Sequence, residues 1–157
     1  MSDSDIAISS IDTLALPRAL RDELMVHLLE AAPNEGVGML GVQAPVQHEG
    51  GLEAVAELFV PGRNEEDSPT HFTMAPLDVI TAFRRFREQG LHLGAIVHSH
   101  LQGPATPSVS DVNEWNYPEA LMMIASFANH PPALHAWRVV EDEGMAVVQH
   151  VDIRLEP

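Results

Sequence analysis

Apolar residues recur along this chain with helical spacing in some stretches and as short unbroken runs in others. Between residues 17 and 31, Leu20, Leu24, Met25 and Leu28 fall at i, i+4, i+5 and i+8. That single stripe predicts an amphipathic helix, with Pro17 suited to its first turn and Pro33-Asn34 breaking it. Val37–Val42 is short, apolar and glycine-bearing, which predicts a buried strand; Leu52–Val60 predicts a second, ended by Pro61-Gly62. Residues 61–69 read as a polar loop and 71–74 as a short strand. A second helix is predicted over 76–89, with Val79, Ile80, Phe83 and Phe86 as its apolar face and Gly90 as its stop. Arg84, Arg85 and Arg87 lie on its solvated side. Next come a buried strand over 91–99, a Gly/Pro-rich loop over 101–107 and a short helix over 108–115. Strands follow over 121–127, 133–140 and 146–155, the last two joined by a hairpin turn at Asp142-Glu143-Gly144. Because the strands cluster rather than alternate strictly with helices, this order points to an α+β fold, or a mixed α/β sandwich.

Composition narrows what such a fold can do. At 157 residues the chain is expected to form a single domain (1–157) able to bury a core unaided. There are 23 acidic and 8 basic residues, a formal charge of −15, and every basic residue is arginine. That balance argues against a nucleic-acid partner, which needs a positive surface. The longest apolar run, 120–128, is far too short to span a bilayer, and residues 1–5 lack the positive region of a signal peptide, so a soluble cytoplasmic protein is expected. Nine histidines and no cysteine exclude disulfides, Fe–S clusters and thiolate zinc sites. Any metal site here must be built from nitrogen and oxygen donors.

One segment concentrates such donors. His98-Ser99-His100 ends the apolar strand, and residues i and i+2 of a strand share a face, so two imidazoles stand side by side at its rim. The loop after it can fold back so that Asp111 supplies a carboxylate. Two neutral imidazoles and one carboxylate leave a fourth tetrahedral position open, as in a catalytic zinc site. Ser108-Val109-Ser110-Asp111 also reads as a helix start, with Ser108 at the N-cap and Asp111 three residues on; a capped helix would hold Asp111 firmly.

The spacing His98-x-His100, seven residues, Ser108, two residues, Asp111 resembles the signature of the JAMM/MPN+ metallopeptidases. Upstream, Glu35, Gly38 and Leu40 match the family's Glu-x-x-Gly-x-Leu-x-Gly context. The last glycine falls one residue early, at Gly41, leaving Val42 in its place. Leu101 stands where the family usually has proline, which raises a question of loop geometry rather than of metal binding. The resemblance runs over most of the chain, to the Ala136–Val139 strand, and implies an MPN/cytidine-deaminase-like sheet flanked by helices. It implies that His98, His100 and Asp111 hold Zn2+, that Glu35 is the general base for zinc-bound water, and that Ser108 donates a hydrogen bond to the developing oxyanion.

The family hydrolyses amide or isopeptide bonds, many after a C-terminal Gly-Gly. A compact chain with only about ten residues between Asp111 and the next strand looks like its prokaryotic members, which process ubiquitin-like sulfur-carrier proteins. The expected partner is therefore a ubiquitin-like or sulfur-carrier protein ending in Gly-Gly, with no nucleic acid and no membrane, and a homodimer is plausible within the family. The alternative is a non-catalytic, metal-binding MPN scaffold; a DNA-linked RadC-like role is disfavoured by the negative charge. The remaining histidines, His27, His48, His71, His92, His130, His135 and His150, are expected to be structural or solvated, His135 as a packed residue.

Overall fold

The computed structural model describes residues 7–157. After a 3-10 turn at Ile8–Ser10, the elements are β1 (Thr13–Pro17), α1 (Arg18–Glu30), β2 (Val37–Val42), β3 (Val46–His48) and β4 (Gly51–Gly62). They continue as α2 (Pro76–Glu88), β5 (His92–His100), α3 (Val109–Asn113), β6 (Leu121–Ser126), β7 (Ala133–Asp142) and β8 (Met145–Glu156). The class is α+β, as the clustering of strands predicts. No helix among these residues is long and apolar enough to cross a membrane.

The eight strands form one sheet in the order β1-β8-β7-β6-β5-β2-β4-β3. β4 pairs with β2 through Ala56–Gly62 and with β1 through Glu53–Val55, so the sheet closes on itself instead of remaining the open layer of a sandwich. The closure depends on β1, which the apolar pattern misses because Thr13–Pro17 is five residues long and runs straight into α1. Pro17 accordingly ends β1 and serves as the N-cap of α1, one position ahead of the predicted first turn. β3, three exposed residues at the outer edge, also carries no apolar signal.

Two apolar clusters pack on opposite faces of β2, β4 and β5. Leu20, Leu24 and Leu28 of α1 join Leu40, Phe59, Ala95 and Val97 on one face. Ala82 and Phe86 of α2 join Met39, Val60 and Ile96 on the other. Burial on both faces explains the unbroken apolar runs of β2 and β5. Close approach is needed at Gly38, where an added Cβ would sit 2.4 Å from the Phe59 ring. At the β7–β8 turn Glu143 and Gly144 both have positive φ, 52° and 80°, the backbone that a two-residue primed turn requires.

Two predicted features differ. Residues 71–74 make only an isolated bridge, Asn64 with Met74, because the Asn64 side chain organises this loop through its own hydrogen bonds. The apolar face of α2 is narrower than its sequence suggests. Phe86 and Ala82 are buried, but Ile80 and Phe83 are 60% and 40% exposed, since α2 lies on the sheet along one edge only.

Candidate metal centre

β5 is the scaffold of the site. It runs parallel to β6 in register, His98 opposite Ile124 and His100 opposite Ser126, and antiparallel to β2, with Val37 opposite His98. Ile96, His98 and His100 share one strand face, so the imidazoles emerge where the α2-side core ends. His98 is fully buried, and its ring stacks on Phe72 with centroids 4.5 Å apart.

α3 delivers the carboxylate. Ser108 is its N-cap: the hydroxyl accepts from Asp111 N at 3.1 Å, and Ser108 N donates to Asp111 Oδ2 at 2.9 Å, completing the expected capping box. Local sequence therefore both starts the helix and aims Asp111, which is buried. The short helix is Val109–Asn113 rather than the longer span predicted. Asp111 Oδ2 lies 3.2 Å from His98 Nε2 and 3.1 Å from His100 Nε2. One donor atom from each of the three residues falls within 4.8 Å of the others. Both ring nitrogens of His98 are buried and make no hydrogen bond. Buried polar atoms are normally paired, and an unpartnered imidazole Nε2 only 3.2 Å from a carboxylate oxygen belongs to a donor set that a divalent cation would complete. His100 presents Nε2 to the same point, while its Nδ1 lies 2.7 Å from the Pro104 carbonyl, which fixes Nδ1 as the protonated atom.

The β2–β5 pairing brings in Glu35. Ser99 N donates to Gly36 O at 3.1 Å and Gly36 N donates to Ser99 Oγ at 2.7 Å, extending the antiparallel pairing and carrying Glu35 level with His100. Its backbone is held on both sides, N–H donating to Ser68 O and C=O accepting from Asn64 Nδ2. Its side chain is not: Glu35 is 4% exposed, and Oε1 is buried without a hydrogen-bond partner. Glu35, His100, Leu101 and Ser108 line one cleft of about 480 Å3. Ser108 is exposed there; its oxygen accepts from Asp111 N and lies 3.2 Å from Ser110 Oγ, and when Ser110 is the donor of that pair the Ser108 proton is free to point into the cleft.

All five residues singled out by sequence thus meet at one place, three of them at the donor cluster and two in the cleft beside it. Two supporting residues were not anticipated in their roles. Asn64, only a loop residue in the sequence reading, donates to the Glu35 and His71 carbonyls while its Oδ1 accepts from Glu66 N and Thr73 N. Ser99, hidden between two histidines, points to the opposite strand face and ties down Gly36. His27 is structural, as expected, with Nε2 2.9 Å from Val37 O. His135, expected to be packed, is exposed and lies 3.1 Å from His150 Nε2. Across an antiparallel pair, two outward positions meet each other instead of the core.

Burial dominates the electrostatics of Glu35, raising its pKa from 4.5 to about 7. Burial likewise lowers the pKa of His98, keeping it neutral. In His100 burial acts downward too, but hydrogen bonds to Asp111 and to the Pro104 carbonyl carry it above its ordinary value. Burial would raise Asp111, yet the two imidazoles, His100 foremost, hold it far below the usual carboxylate range. The proton that competes with a cation is therefore held by His100 rather than by His98. Zn2+ affinity is expected to fall as pH drops through the raised His100 pKa, by about tenfold per unit once the ring is protonated, with a proton released on binding. Calorimetric titration in buffers of different ionisation enthalpy, from pH 6 to 8, checks this; affinity that is flat across that range contradicts it.

A family model described as prokaryotic homologs of the JAB domain matches residues 17–140, which include Glu35, both histidines, Ser108 and Asp111. A Thermus thermophilus protein named "Probable TtuB-protein conjugate cleaving protease" is 38% identical over 108 residues, 67% of this chain and 66% of the relative. The chain thus spans just under two thirds of that relative's length. Among solved structures, protein DSY2949 from Desulfitobacterium hafniense superimposes with a TM-score of 0.77 at 28% identity, covering 91% of this chain and 92% of its own. A protein from Salinibacter ruber gives 0.64 at 26% identity, covering 90% and 91%. With four fifths of its length inside the matching model, the chain belongs to the family of prokaryotic homologs of the JAB domain.

Proposed function

We propose that this protein is a zinc metallopeptidase that hydrolyses the amide or isopeptide bond after the C-terminal Gly-Gly of a ubiquitin-like, sulfur-carrier type protein. The observation that carries the reading is a buried glutamate without a side-chain partner beside two imidazoles and a carboxylate whose donor atoms converge. The name of the Thermus thermophilus relative supports the substrate class. His98, His100 and Asp111 would hold the zinc ion, which when bound supplies a Lewis acid for the scissile carbonyl and for water.

This chain's own groups carry the proton. Glu35, with its pKa raised to about 7, takes a proton from the attacking water as the C–O bond forms and gives it to the leaving nitrogen as the C–N bond breaks. Ser108 donates its hydroxyl proton in a hydrogen bond to the carbonyl oxygen while that oxygen gains charge. Asp111, accepting from Ser108 N, keeps the hydroxyl and the donor cluster at a constant separation.

The test is a zinc-loaded sample incubated with a ubiquitin-like carrier joined through Gly-Gly to the lysine of a peptide. Mass spectrometry is expected to find the carrier released with an intact Gly-Gly end. Release is expected to stop with 1,10-phenanthroline and return with added Zn2+. Stoichiometric zinc without cleavage would instead identify the non-catalytic scaffold.

A further inference from the structure

The loop after His100 is clamped at three successive carbonyls by three neighbouring strands. Ser126 Oγ, at the end of β6, donates to Gly103 O at 2.6 Å. His100 Nδ1, at the end of β5, meets Pro104 O at 2.7 Å. Trp137 Nε1, on β7, donates to Ala105 O at 3.0 Å. Ser126 is fully buried, and the Ala105 methyl is packed with Met122 and Ile124 against Trp137 and Trp115. The backbone of His100 is held as well, its carbonyl accepting from Phe127 N at 3.0 Å. Pro104 itself is exposed and has no other anchor of this kind, so the position of its carbonyl depends on the residues on either side of it. A metal-ligating imidazole is oriented through its second ring nitrogen, and that partner governs affinity. Here the partner is a loop carbonyl, which is only as rigid as the loop.

We propose that Ser126 and Trp137 are positioning residues for the metal centre: by fixing the carbonyls of Gly103 and Ala105 they hold that of Pro104, which in turn aims His100 Nε2 at the ligand point. Neither residue hydrogen-bonds to the three donor side chains, although Ser126 is the cross-strand neighbour of His100. Both lie on strands that contribute no ligand. The inference rests on the proposed role of His100 as a ligand, and the experiment separates the two.

Ser126→Ala deletes the donor to Gly103 O together with an acceptor for Ala128 N, and Trp137→Phe deletes the donor to Ala105 O while keeping an aromatic ring in the cluster. Val139→Ala serves as control, since Val139 packs in the same cluster but holds no loop carbonyl. Two readouts are taken: Co2+ and Zn2+ affinity by competition with a chromophoric chelator, and solvent exchange of the His100 Nδ1 proton by NMR in the metal-free protein. The expected result is metal affinity about 10-fold weaker in Ser126→Ala and Trp137→Phe, within the 10–100-fold range for loss of such support. Faster exchange of the His100 Nδ1 proton is expected in both, with Val139→Ala less stable yet like wild type in each readout. If the two variants only lose thermal stability, as Val139→Ala does, with affinity and exchange unchanged, the positioning role is overturned while the metal site stands. If wild type binds no metal but exchange accelerates in both variants, His100 is not a ligand, although the clamp is real. Unchanged exchange together with absent metal overturns both.

Discussion

Glu35→Gln is expected to lower the hydrolysis rate by about 10² to 10⁴-fold, the range for removing a positioned general base, while leaving one zinc bound per chain. The amide is nearly isosteric with the carboxyl, and its backbone anchors, Ser68 O and Asn64 Nδ2, are untouched. A second, opposite effect follows from the same burial. The folded protein binds the Glu35 proton more tightly than the unfolded chain does, its pKa rising from 4.5 to about 7. Stability of the metal-free wild type therefore falls as pH rises across that window. Glutamine carries no such cost. Metal-free Glu35→Gln is expected to be more stable than wild type at pH 8 by about 1–2 kcal/mol after allowance for solvent at the open cleft, and to match it near pH 4. Single-turnover cleavage and melting curves at the two pH values check both halves. Equal cleavage rates in variant and wild type would remove Glu35 from the chemistry.

His98→Ala or Asp111→Ala is expected to abolish stoichiometric zinc, a loss greater than the roughly 10–100-fold that follows when only a supporting hydrogen bond is removed. Hydrolysis would disappear with the metal. Because Asp111 also closes the capping box of α3, Asp111→Ala costs fold stability on the order of 1 kcal/mol besides. Asp111→Asn separates the contributions: its amide oxygen still accepts from Ser108 N, so the cap survives while the charge facing both imidazoles is gone. Metal content by mass spectrometry beside circular dichroism tests the point. A full zinc equivalent in folded Asp111→Asn would show that the carboxylate is dispensable at the centre.

Much of the candidate site was legible because its chemistry is local. Strand alternation puts His98 and His100 on one face, and the N-cap rule places Asp111 next to Ser108, within about a dozen residues of each other. Glu35 lies sixty-odd residues away and was found through the family pattern, not by proximity. Its partnerless, buried state comes from pairings to Ser68, Asn64 and Ser99 that no single stretch contains. The short strand expected at 71–74 failed because Asn64 gathers that loop through four side-chain hydrogen bonds, a non-local arrangement that outweighs local β-propensity.

The α+β order of elements, the buried runs of β2 and β5, the hairpin at Glu143-Gly144 and the capped helix carrying Asp111 are all written into short stretches of chain. Each depends on residues a few positions apart, where periodicity, turn residues and caps act. The sequence also restricted any metal site to imidazole and carboxylate donors. Long-range packing, by contrast, closes the sheet through β1 and β4, leaves Ile80 and Phe83 of α2 facing solvent and exposes His135. The same packing sets the carbonyls of Gly103, Pro104 and Ala105 against side chains of β5, β6 and β7. Those outcomes depend on which surfaces meet across long chain separations, and the free energy of burying them is a property of the meeting, not of either segment.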